Sequence, residues 1–82
     1  MTVKQFLKKA TEHQIDLDAN GFHVGEASYD SYAIGVYKEE SNDNWIAYTN
    51  DEKGRTYVIA RGAESDVLDK LYQRLLARKR FS

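Results

Sequence analysis

The sequence predicts a single α+β domain spanning residues 1–82. An N-terminal helix, an antiparallel β-meander of three or four strands and a C-terminal helix follow in order, with both helices on one sheet face. Three observations lead there. Apolar residues recur at helical spacing near each end of the chain. Between them lie short runs rich in β-branched and aromatic residues, joined by polar links. No repeat, low-complexity tract or linker divides the 82 residues.

The first helix is expected over residues 2–13. Thr2 and Gln5 have the spacing of a capping box, in which each side chain satisfies the other's backbone amide. Val3, Phe6, Leu7 and Ala10 then fall on one face. A helix this short is marginal alone, so its stability must come from docking. Residues 16–21 read as a turn ending in Asn20-Gly21. Residues 22–26 read as a short strand and 28–31 as a second turn.

Strands are expected over 32–38, 44–49 and 55–61, in meander order because the links are short. Gly54 suits the hairpin loop at 50–54, where a positive φ is wanted. Pairing Thr49 with Arg55 sets a trial register, which places Ile46 opposite Val58, Val36 opposite Ile46 and Tyr37 opposite Trp45. One face then holds Tyr32, Ile34, Val36, Ile46, Tyr48, Val58 and Ala60. The other holds Tyr37, Trp45, Tyr57 and Ile59 with the small Ala33, Gly35 and Ala47. A one-residue slip exchanges the faces of a strand. The last helix has Ser65 as its expected N-cap and an apolar stripe from Val67 to Leu76. Arg74, Arg78, Lys79 and Arg80 suit the negative end of its dipole.

Composition excludes several classes. Without cysteine there is no disulfide framework and no thiolate nucleophile. No apolar run approaches the roughly 18 residues of a membrane span, and the N-terminus lacks a signal-peptide core. A cytoplasmic protein is the expectation. A net charge of −1 supplies no field for nucleic acid. His13 and His23 have no metal spacing, and no nucleophile or phosphate-loop motif is present. Neither an enzyme nor a cofactor is expected.

Two motifs carry alternatives. Asp16-Leu17-Asp18-Ala19-Asn20-Gly21 matches the opening of a calcium loop, but the twelfth position is Ala27 where a glutamate is needed. A helix-to-strand connection built from Asx turns explains the same residues. The basic run at 78–80 could meet phosphates, or could simply close the helix. The leading functional candidate is the aromatic face. Tyr37, Trp45 and Tyr57 have the size and polar tips of interface anchors, and Asp51 and Glu52 would form an acidic rim. That face could equally be the core. If it is open, self-association into a homodimer could also cover it.

The run Trp45-Ile46-Ala47-Tyr48, the turn Asp51-Glu52-Lys53-Gly54, the strand Thr56-Tyr57-Val58-Ile59 and the helix opening Glu64-Ser65-Asp66 resemble the small α+β immunity proteins of bacterial polymorphic-toxin systems. The resemblance extends from Tyr32 to Leu76. It implies a protein that binds and neutralises a cognate toxin, with Trp45 as a binding residue. Many immunity proteins that block nucleases are strongly acidic, and this chain is not. The expected function is therefore protein binding of the inhibitor kind. Nucleic-acid binding through the last helix and a calcium response at Asp16–Gly21 are the alternatives.

Overall fold

The computed structural model describes the backbone of residues 1–81 and the side chains of residues 1–78. Its element order is α1 (Val3–Glu12), β1 (Phe22–Val24), β2 (Ile34–Lys38), β3 (Trp45–Asn50), β4 (Thr56–Gly62) and α2 (Glu64–Phe81). The fold is α+β, with both helices on one face of a four-stranded sheet ordered β1-β2-β3-β4.

α1 starts as its sequence demands. Thr2 Oγ1 accepts from Gln5 N at 3.2 Å, and Gln5 Oε1 accepts from Thr2 N at 2.8 Å. Its end is equally defined. Gln14 takes a left-handed φ of 58°, and Ile15 N reaches back to Ala10 O at 2.9 Å, a Schellman closure that buries Ile15. Residues 16–21 form the Asx-turn connection. Asp16 Oδ1 accepts from Ala19 N, Asn20 Nδ2 donates to Asp16 O, and Gly21 turns the chain at φ 64°.

The sheet is mixed rather than wholly antiparallel. β1 runs parallel to β2, with Phe22 opposite Ile34 and Val24 opposite Val36. The connection does not fold back as a hairpin at 28–31. Residues 25–33 instead cross the second sheet face and re-enter in the original direction. β2, β3 and β4 then form the expected meander.

The trial register is corrected at both links. Between β2 and β3, Val36 faces Ala47 and Tyr37 faces Ile46. Glu39 N donates to Asn44 O at 2.9 Å, and Asn42 braces the loop by donating to Glu39 Oε2 and accepting from Asn44 N. These bonds move the pairing by one residue, so the faces of β2 and β3 combine differently. Between β3 and β4, Thr49 faces Tyr57 because Asp51 and Arg55 close the turn, through Asp51 N to Arg55 O at 3.0 Å. A register shift between Ala47 and Tyr48 then leaves Ile59 as an extra residue, a β-bulge.

The core follows from this register. Ile34, Val36, Ala47 and Ala60 meet Phe6 and Ala10 of α1 and Val67, Leu68, Leu71, Tyr72 and Leu75 of α2. Phe6 stacks on Phe22 at 5.3 Å and meets Tyr72 edge-on at 5.8 Å. α2 begins at Glu64 and not after a Ser65 cap, because Gly62, at φ 143°, turns the chain straight from β4 into the helix. Ser65 Oγ instead lies 2.6 Å from the Met1 amino group. Among the described residues, no helix is long and apolar enough to cross a membrane.

Candidate protein-binding surface

The second sheet face carries Gly35, Tyr37, Ile46, Tyr48, Asn50, Val58 and Arg61. It is not left open. The crossover segment 25–33 lies over its hairpin end and buries Tyr48 and Asn50 completely or nearly so. Gly35 makes room for this packing, since a Cβ there would sit 2.6 Å from both Tyr48 Oη and His23 O.

Polar bonds hold the crossover in place. Tyr48 Oη donates to Glu26 O at 3.0 Å. Asn50, the one buried polar residue among the described residues, donates through Nδ2 to Ser28 O at 2.7 Å and to Asp30 O at 2.9 Å. Its Oδ1 accepts from Thr56 Oγ1 at 2.9 Å. The β3–β4 turn contributes as well. Tyr32 N donates to Asp51 O at 3.1 Å, and Ser31 Oγ donates to Glu52 O at 2.7 Å. Gly54, at φ 79°, lies against the Tyr29 carbonyl, where any Cβ would collide. His23 Nε2 stands 3.9 Å from Asp30 Oδ2, a long and solvent-screened pair.

This hydrogen-bonded segment presents large side chains to water. Tyr29 is 80% exposed and Tyr32 60% exposed. Tyr32 also holds φ at 59°, a left-handed conformation that a bulky residue rarely adopts. At the same end of the sheet, Tyr57 is 55% and Val58 57% exposed. The hairpin links these positions: Asn50 faces Thr56, Thr49 faces Tyr57 and Tyr48 faces Val58.

The structure divides the sequence candidates. Tyr57, Asp51 and Glu52 belong to the hairpin end. Asp51 is a turn builder there, because its Oδ1 accepts from Lys53 N and Arg55 N, both at 2.9 Å. Glu52 is exposed. Tyr37 and Trp45 stand at the opposite end of the sheet and on opposite faces. Trp45 faces Gly62 and Lys38 and packs against the core. Tyr37 lies 5.9 Å from the Tyr48 ring and helps line an open cleft of about 570 Å³ with Glu39, Ile46 and Arg61. Arg61 Nη2 approaches Glu39 Oε1 at 3.0 Å, although that buried oxygen accepts no well-directed hydrogen bond.

The exposure of Tyr29 and Tyr32 was not legible in the sequence. Tyr32 reads as the first residue of a strand, and Tyr29 as part of a turn. The available signal was two tyrosines flanking a polar turn, Tyr29-Asp30-Ser31-Tyr32. Of the basic run, Arg78 turns back onto the sheet and donates to Thr49 Oγ1 at 3.2 Å. The side chains of Lys79 and Arg80 lie outside the described residues. Among the described residues, no three His, Cys, Asp or Glu side chains converge on a metal position. Comparisons with protein-family models, with curated proteins and with solved structures give no match.

Proposed function

We propose that this domain is a protein-binding module that engages its partner with the hairpin end of the sheet. Tyr29, Tyr32, Tyr57 and Val58 serve as apolar contacts, and Glu52 as a charged neighbour. One observation carries the reading. A segment fixed by many hydrogen bonds, and bearing local backbone strain at Tyr32, holds two tyrosines out in solvent. Exposed strain of this kind points towards function, and a pre-ordered tyrosine surface binds with little further loss of freedom. The resemblance to immunity proteins gives the form of the function, inhibition of a toxin by covering its working surface.

The test is comparative affinity capture from the native organism. Wild type should retain a discrete protein that Tyr29→Ser/Tyr32→Ser loses, while Tyr37→Ser, at the other end of the sheet, still holds it. Equal capture by all three forms, or none by wild type, would remove the reading.

A further inference from the structure

The proposed binding end includes an edge strand, and its surroundings specify a kind of partner segment. β4 pairs with β3 on one side only. Thr56, Tyr57 and Val58 are exposed in succession, while Ala60, beyond the bulge, is 8% exposed. Edge strands are commonly blunted by bulges, proline or lysine. Here the bulge at Ile59 protects the far half, and residues 56–58 contain neither proline nor lysine. The near half is therefore open to strand addition.

Charge next to this edge is mainly basic, Lys53, Arg55, Arg74 and Arg78 outnumbering Asp51 and Glu52 of the turn. α2 passes over β3 and β4, and Arg78 reaches Thr49, the cross-strand neighbour of Tyr57. Arg74 stands exposed one helical turn earlier, and Arg55 is exposed two residues before Tyr57. The helix acids Glu64, Asp66 and Asp69 lie in the first turns of α2, at its other end. Arg55 thus flanks an open strand edge that carries an exposed aromatic ring, with Arg74 and Arg78 on the helix over the adjoining sheet face.

We infer that the partner docks on β4 through an extended acidic segment, added to the sheet as a fifth strand. Its backbone pairs with the open edge at residues 56–58. Its carboxylates meet Arg55 and Arg74 on the helix-covered side, and its apolar side chains, on the other side, pack on Val58. This deepens the binding-module reading and rests on it.

The test is titration of the whole domain with a capped octapeptide alternating glutamate and valine. The controls are a lysine–valine peptide and a single-stranded oligothymidine. The acidic peptide should bind, with added amide protection at Thr56 and Val58. Its affinity should fall as salt rises, and should drop about tenfold in Arg55→Glu/Arg74→Glu, which leaves the Arg78–Thr49 contact alone. Absence of binding at millimolar peptide, equal binding of the lysine peptide, preference for the oligothymidine, or pairing of β4 with a second copy would each overturn the inference. A partner held through Tyr29 and Tyr32 whose affinity ignores Arg55→Glu/Arg74→Glu would remove the edge proposal and leave the binding-module reading standing.

Discussion

Tyr32 and Trp45 differ in what the fold does with a large aromatic ring. Tyr32 sits at φ 59° with its ring mostly in water. A left-handed conformation is unfavourable for an L-residue by roughly 1–2 kcal/mol, and glycine escapes most of that strain. Tyr32→Gly should therefore raise stability by about 0.5–1 kcal/mol in urea unfolding, after allowing for glycine's larger entropy loss. The same substitution should weaken partner binding, the usual opposition between stability and function. Trp45 behaves in the reverse way. Its ring is half-buried against the core. Trp45→Ala should lower stability by about 2–3 kcal/mol, somewhat less than a fully buried aromatic would lose. A Trp45→Ala protein as stable as wild type would contradict the register described here.

At the scale of elements, the crossover segment 25–33 decides what the second sheet face can do. Asn50 joins that segment to β3 and β4 through three side-chain bonds. Asn50→Ala should lower stability by about 1–3 kcal/mol, because donors and acceptors lose their partners together. It should also speed amide exchange over residues 28–32 before the helices respond. The helices themselves were legible in the sequence. A capping box, an apolar stripe and the placement of charge are local signals, and both helices form where those signals lie. The three long strands were legible too, in order and approximate extent. Their register was not. It depends on Asn42 bracing one loop, on Asp51 folding its carboxylate into the next, and on a bulge at Ile59. Each device changes pairing by a residue or two without altering the hydrophobic pattern. The parallel β1 was hidden for a similar reason, since residues 25–33 look like a turn in sequence. Because the register failed, Tyr37 and Trp45 appeared to share a face that they do not share.

For the whole molecule, burial of tyrosine links the fold to pH. Tyr48 is fully enclosed between the sheet and the crossover, and Tyr72 is enclosed between α1 and α2. Burial pushes both phenols above their ordinary value near 10. The neutral form is the one the folded state holds, so the unfolded chain releases these protons first as pH rises. Their contribution is complete below about pH 10 and is lost as pH climbs through the raised folded values. Thermal stability should accordingly fall on the alkaline side, and Tyr48→Phe should flatten part of that fall. A melting temperature that stays constant well above pH 10 would contradict the enclosure of both rings.

The central claim is that the hairpin end, with its hydrogen-bonded tyrosine segment, is the binding surface. A hydrogen-exchange footprint of the domain alone and with its captured partner tests it most directly. Residues 28–32 and 51–58 should gain protection in the complex, while the loop at 39–44, at the other end of the sheet, stays unchanged. Protection gained around Tyr37 and the 39–44 loop, with none at 28–32, would contradict the account.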